Sequence, residues 1–575
     1  MRNGEVIEYR GNELRRRDLL AAAGKFAAIS ATGLIFGVDR LLSAAVPALA
    51  ENNRLDDGET FQQGIAVAAN PAALLALEIP LRVGSVVRTA DGFGYEVLPA
   101  ETPGLNFQTE GGAKLRPIVP RNAPFDMAAL ALDPALPANT MRERFLIAAA
   151  IADEIFVRKA ARAYSWQGSP IELTGVTDSL TIRSNGATLD GRIYGVGVRK
   201  IHSYGVWWKN TSGAWLWALD FKYFDELVVM NGGLHSCGVY PRAVPGEDYD
   251  GSEDTVVNGR VIVENNAIGG TGFNSGESRM LQARQYTYLS FSRNYDAGDG
   301  PITGIKEVLK TSGYGRTTVV EGNKMRAFET VEEWWDSFGT RGPIYCRANE
   351  LWAAAGGIWA FKPKGGSAPE PNEIGPYLVV AEGNTFHCED VPTGGVYLLG
   401  HSNLAGVKKR LPQTLIWRDN IVSHAGTGSN AIIMGVRGFD TVIFEGGRFN
   451  EEGDYSTRKA LEIVGCNSIT IDGSVIRRGS ISLATGSDTV GTAYGSNKSL
   501  AASNVHFRDA RKDAAWNFFS QNDLRAVISG GSIEVASPTP SSVRAYRVVT
   551  GTLAHLSITD ISWSARPDSN VDPGS

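Results

Sequence analysis

Along the second half of the chain, short apolar and β-branched runs alternate with polar residues. Each run stops at a recurring phrase: an acidic or polar residue, a Gly or Asp, an Asn or Gly, and shortly afterwards an apolar residue. Copies are Glu321-Gly322-Asn323-Lys324-Met325, Glu382-Gly383-Asn384-Thr385-Phe386, Arg418-Asp419-Asn420-Ile421-Val422, Glu445-Gly446-Gly447-Arg448-Phe449 and Asp472-Gly473-Ser474-Val475-Ile476. Weaker echoes stand at Ser503-Asn504 and Gly530-Gly531. First positions are separated by 61, 36, 27 and 27 residues, a period that marks a solenoid. Apolar runs flank each copy, and none is of helical length, so the phrase predicts a corner between two strands. Gly and Asn suit a corner because they tolerate positive φ. The pattern predicts an all-β right-handed parallel β-helix, with three short strands to a coil.

Earlier segments differ in texture. Residues 51–120 alternate as half-buried strands, Leu81 to Arg88, Gly94 to Leu98 and Ala113 to Ile118, around an Asp91-Gly92 turn, and predict a small N-terminal β module. Residues 121–178 predict a capping helix, with Asn139 or Thr140 as cap and Phe145, Leu146 and Ala149 on its apolar face, followed by entry strands. The first clear coil is Ser179 to Gly191, and the β-helix is expected over 179–575. Two stretches depart from plain coil packing: the aromatic run Trp207, Trp208, Trp215, Trp217, Phe221, Tyr223 and Phe224, and an insertion at 351–376. Insertions in a solenoid emerge on one face and often wall a groove.

Composition narrows the picture. With 66 Gly, 25 Pro and only 21% charged residues, the chain is turn-rich and not of disordered type. A net charge of minus six without long runs offers no footprint for nucleic acid or an anionic membrane. Cys237, Cys346, Cys388 and Cys466 are too scattered for a disulfide framework or a zinc site, and read as buried thiols. The His residues show no metal-binding spacing, so no protein-bound zinc is expected, and no cofactor beyond a structural calcium. Gly269-Gly270-Thr271-Gly272 lacks the Lys-Ser/Thr of a phosphate loop.

A groove along a β-helix fits an extended chain such as a polysaccharide. Cutting one needs two carboxylates about 5 to 9.5 Å apart, or a base and a group that neutralises a sugar carboxylate. The densest acidic stretch, Glu247 to Asp254, is followed by Asp296 and Asp299; if coils stack, Asp250 or Asp254 approaches Asp296 or Asp299. These four are the candidate catalytic residues, and the same Asp-x-Asp-Gly turns also suit a structural calcium or a plain solvated loop. His235 stands upstream of them. Trp334 and Trp335, beside Glu332, Glu333 and Asp336, suit either a sugar subsite or a short surface helix packed on the coil. Arg326 and Arg347 flank that segment and can face an acidic sugar. Glu321, Glu382 and Glu445 recur at matched positions but read as corner residues, since like charges at coil spacing repel. His387 and His424 read as coil histidines.

The helix, strand and Ile182-Arg183-Ser184-Asn185-Gly186-Ala187-Thr188-Leu189-Asp190-Gly191 phrase resembles the start of pectate-lyase-like β-helix proteins and phage tailspikes, over roughly residues 125 to 565. The 51–120 module, ending in Gly111-Gly112-Ala113-Lys114-Leu115, resembles a tailspike head or neck. At the N-terminus, Arg15-Arg16-Arg17-Asp18-Leu19-Leu20, a mildly apolar stretch from Ala21 to Val38 and Ala48-Leu49-Ala50 resemble a twin-arginine export signal over 1–50. These resemblances imply recognition of an extracellular or cell-surface polysaccharide, cleaved as by a glycoside hydrolase or polysaccharide lyase. The alternative they imply is a tailspike-like receptor-binding protein of a phage, prophage or related particle. Export implies a periplasmic or secreted protein without a membrane span; the tailspike likeness implies a virion-associated homotrimer.

Overall fold

The computed structural model describes residues 66–563 except 104–106, 168, 213–216, 243–257, 271–278, 299–306, 313–314, 328–332, 339–341, 354–356, 362–377, 389–394, 401–412, 426–431, 452–458, 488–492, 511–513 and 536–542. The export-signal expectation at 1–50 lies outside these residues. The chain divides into two compact units, at 1–118 and 119–575.

In the first unit, Val86–Arg88, Gly94–Leu98 and Lys114–Pro117 form a three-stranded antiparallel sheet. Its alternation buries Tyr95, Val97 and Leu115 with Phe107 and Leu74. A short helix that the strand pattern does not predict, Pro71–Leu75, precedes the sheet and starts where the Asn70 side chain accepts the Ala73 amide.

In the second unit, strand follows strand into three parallel walls, the architecture of a parallel β-helix. Among the described residues the first wall holds 16 strands, from Phe125–Asp126 to His555–Thr559, and the second holds 15, from Tyr164–Ser165 to Ser562–Trp563. The third wall comes in two sheets, of 8 strands ending at Gly357–Phe361 and of 6 strands starting at Val396–Leu399. The helix Ala138–Ile151 lies against the first strands. Its N-cap is Pro137, with no side-chain cap bond, in place of the expected Asn139 or Thr140, which fall inside the first turn. Phe145 packs on Trp166 with ring centroids 4.9 Å apart, and Ile147 and Ala148 are buried beside it while Leu146 is only half-buried.

Alternate residues of each strand face inward, which builds columns of Leu, Val, Ile and Phe down the axis. The corner phrase has a division of labour. Its second position carries the positive φ, as at Gly322 (65°), Ala348 (49°), Gly383 (62°) and Asp419 (50°). Its third position points inward: Asn266, Asn294, Asn323, Asn349, Asn384 and Asn420 form a buried ladder in which each Nδ2 donates to the Oδ1 of the next. Each Nδ2 also donates to a backbone carbonyl one coil back, and from Asn294 onward each Oδ1 accepts the amide of the preceding Asn.

The spacing of 61 residues from Glu321 to Glu382 conceals one coil, Arg347-Ala348-Asn349-Glu350-Leu351, which departs from the phrase at its second position, Ala348. That coil places Arg347 between Glu321 and Glu382, and Arg418 separates Glu382 from Glu445. Arg418 bonds Glu445 at 2.6 Å and Glu382 at 3.3 Å. The outward column is therefore an alternating charge ladder, and the like-charge repulsion that the sequence suggested does not arise between Glu321, Glu382 and Glu445.

Candidate functional site

The candidate residues that the structure describes fall on three different walls. His235 ends the strand Gly233–His235, Asp296 lies in Tyr295–Asp296 and Arg326 in Lys324–Ala327, all on the second wall. Arg347 is on the first wall, 3.8 Å from Glu382, with its guanidinium over the Tyr345 ring at 4.8 Å. Trp334 and Trp335 belong to the third-wall strand Glu333–Phe338, so their backbone is extended and not the alternative surface helix. Trp335 pairs in register with Leu309 and Trp359. The structure does not gather Arg347 and the Trp pair with Arg326, because sequence neighbours across a corner belong to different walls. Asp250, Asp254 and Asp299 lie outside the described residues. Asp296 holds a register position next to Ile268, and its Oδ1 accepts the Arg326 amide at 2.9 Å.

Two outward columns run down the second wall from this point. The first contains Tyr295, Lys324, Glu350, Thr385, Ile421, Arg448, Val475 and His506. The second contains Arg326, Trp352, His387, Ser423, Asn450, Arg477 and Arg508. At roughly 4.8 Å per strand, the six steps from Lys324 to His506 span about 29 Å.

The upper part of this face is a fixed stack. Arg326 lies over the Trp352 ring at 4.8 Å, and His387 stacks on Trp352 from the following coil at 4.9 Å with an interplanar angle of 13°. His387 Nδ1 is 2.9 Å from Ser423 Oγ, which fixes the imidazole plane. Both faces of the indole are thus occupied, so a pyranose cannot stack there; the column presents ring edges and positive charge.

The lower part is cationic. Arg448, Arg477 and Arg508 are exposed, and none makes an ion pair with a described residue. On the first wall the same register interleaves Arg with Glu. On the second, Arg477 and Arg508 are direct register neighbours. In water two such charges repel by about 1 kcal/mol at 4 Å, and less at greater separation, so the arrangement is tolerated while exposed. The outward carboxylate Glu350 is held by Lys324 at 2.9 Å. The buried carboxylates Asp220 and Glu462, both on the third wall, are each held by two cations: Arg192 and Arg242 for Asp220, Arg437 and Lys459 for Glu462. They are neutralised structural acids.

Trp352, Arg448, Arg477 and Arg508 were missed in the sequence, and His387 was read as a coil histidine. A signal existed: each is the residue directly after the apolar position of a corner phrase, as in Leu351-Trp352, Phe386-His387, Ile476-Arg477 and Phe507-Arg508, or directly before it, as in Arg448-Phe449. Among the described residues no cluster of three or more His, Cys, Asp or Glu can hold a metal ion. The acidic turn considered for calcium lies outside them. No helix among the described residues is long and apolar enough to cross a membrane.

No protein-family model matches the chain, and no curated protein does. Among solved structures, tailspike protein 3 of bacteriophage CBA120 is similar at a TM-score of 0.28 and 9% identity, covering 81% of this chain. The chain spans 63% of that protein's length. The assignment of the fold rests on the strand order itself.

Proposed function

We propose that the protein recognises an extended anionic polysaccharide laid along the second wall. The observation that carries this reading is the run of outward cations, Lys324, Arg326, Arg448, Arg477 and Arg508, of which the last three have no ion-pair partner among the described residues. A polymer with carboxylates at intervals matches a linear array of charges at coil spacing, and each contact replaces Arg–Arg repulsion by a charge-assisted hydrogen bond. In this reading cleavage belongs to Asp296 and to Asp250, Asp254 and Asp299, while the cations neutralise the sugar carboxylates, as an elimination demands.

Affinity electrophoresis through polygalacturonate, alginate, dextran and duplex DNA tests recognition. The acidic glycans are expected to retard the protein and dextran is not, with retardation falling as salt rises. Arg477→Ala combined with Arg508→Ala is expected to weaken retardation at least tenfold. Equal retardation by dextran, an unchanged double variant, or DNA held while both acidic glycans are not, each overturns the reading. Cleavage is tested on the same glycans by new reducing ends and by the ultraviolet absorbance of unsaturated product; absence of both removes the enzymatic part and leaves recognition.

A further inference from the structure

Near the start of the β-helix, at the corner between the first and second walls, is an open cleft of about 760 Å³. Phe156, Tyr204 and Trp207 supply its aromatic surface, and Lys159, Arg183 and Asn231 its polar rim. Trp207 belongs to the same outward column as Lys324, through Gly233, Ala267 and Tyr295. Its indole leans over Gly233 of the next coil, where a Cβ would meet the ring at 2.5 Å. Only glycine leaves room for that pose, and it lays the ring along the wall as a platform. Beyond it the column is small, Gly233 and Ala267, until Tyr295, which is 45% exposed and stands about 14 Å further on.

The charges around the cleft are unequal. Arg183 is committed, bonded to Glu154 and placed over the Tyr204 ring at 4.8 Å. Lys159 is exposed and has no ion-pair partner among the described residues. Its backbone is anchored where its amide donates to Asn185 Oδ1 at 3.0 Å, and its side chain reaches across Gly186, with Nζ 3.9 Å from where a Cβ would stand.

We infer that this cleft binds one pyranose unit bearing a carboxylate, its apolar face on Trp207 and its carboxylate on Lys159. A flat aromatic platform with convergent polar groups suits a sugar ring, and an uncommitted ammonium at its rim selects an anionic one. The inference rests on the proposed polysaccharide reading only for the polymer to which that unit belongs, since Trp207 lies about 19 Å, four strands, from Lys324. The cleft is then an end subsite that sets where a chain begins along the wall.

Saturation-transfer NMR with trigalacturonate, and galactotriose as neutral control, tests this in the full chain carrying Arg477→Ala and Arg508→Ala, so that those two arginines of the second wall do not contribute. Trigalacturonate is expected to receive saturation and galactotriose at least fivefold less. Adding Trp207→Ala is expected to abolish the signal and Lys159→Ala to weaken binding at least tenfold. Gly233→Ala, whose new methyl displaces the indole, is expected to weaken it without removing the indole itself. The Lys159 variant changes an exposed side chain and keeps the test valid should the other two misfold. No signal from trigalacturonate, equal signals from both sugars, or an unchanged Lys159→Ala each overturns the inference. A persistent cleft signal alongside glycan retardation that ignores Arg477 and Arg508 overturns the wall reading alone.

Discussion

Replacing Asn349 by Ala tests whether the buried amide ladder holds the coils together. Asn349 Oδ1 accepts the Asn323 amide at 3.0 Å and Asn323 Nδ2 at 2.9 Å, and its own Nδ2 donates to the Val320 carbonyl at 2.8 Å and to Asn384 Oδ1 at 2.8 Å. After Asn349→Ala, Asn384 Oδ1 keeps the Asn349 amide at 3.0 Å and Asn323 Nδ2 keeps the Phe291 carbonyl at 2.7 Å, but the Asn323 amide and the Val320 carbonyl lose this partner. At about 1–3 kcal/mol for each buried group left unmatched, and with a water able to recover part of it, the loss is roughly 3 kcal/mol. Solenoid unfolding need not be two-state, so the denaturant midpoint is to be read together with a local reporter. Hydrogen exchange at the Asn323 amide is that reporter, with protection expected to fall at least tenfold. Asn349→Asp is expected to be worse at neutral pH, because it sets a carboxylate against the Val320 carbonyl and Asn384 Oδ1. The introduced acid has a raised folded pKa, so its penalty is absent below the unfolded value of about 3.9 and grows as pH rises above it. Asn349→Ala within about 0.5 kcal/mol of the parent, with Asn323 still protected, would refute the structural role given to the ladder.

Other consequences follow from packing and charge. Arg418→Glu places four carboxylates in succession on the first wall, from Glu382 to Asp472, and is expected to lower the melting temperature, with the loss shrinking as salt is added; a salt-independent change would count against the charge ladder. All four cysteines are free and buried, and burial pushes Cys237 and Cys466 up to about 12. Native protein at pH 8 is therefore expected to leave an aromatic disulfide reagent unreduced and denatured protein to react at four thiols, so fast native labelling would contradict the burial. Phe145→Ala opens a cavity between the capping helix and Trp166 and is expected to destabilise by about 3–5 kcal/mol, read as a shift of the thermal midpoint.

The architecture was legible because coil geometry writes a period into the chain. Strand alternation, a residue at positive φ and an inward Asn recur at every corner, and each is a local requirement. The coil at Arg347-Ala348-Asn349 escaped notice because Ala348 takes the positive φ at which the copies of the phrase carry Gly or Asp, and which Asn265 and Arg293 take in earlier coils. The helix start was misplaced because Asn139 and Thr140 look like caps, whereas the turn begins two residues earlier at Pro137. The site was less legible. Arg326 and Arg347 are close in sequence, yet the third-wall strand Glu333–Phe338 lies between them and they belong to different walls; which wall a residue joins depends on the coil count.

That dependence also separates scaffold from function within a single phrase. In Asn349-Glu350-Leu351-Trp352, Asn349 and Leu351 face the interior, where bonding and packing constrain them, while Glu350 and Trp352 face solvent. Apart from Ser423, which is buried and bonded to His387, the residues of the series Arg326, Trp352, His387, Ser423, Asn450, Arg477 and Arg508 stand outside the core, so they can vary from coil to coil while the inward positions keep the fold. From Glu321 to Glu445 the first wall uses this freedom to set Arg against Glu. The second leaves its lower arginines without acids among the described residues, and since the same scaffold supports both outcomes, folding does not require the excess charge. The anionic partner proposed above is what the excess charge fits.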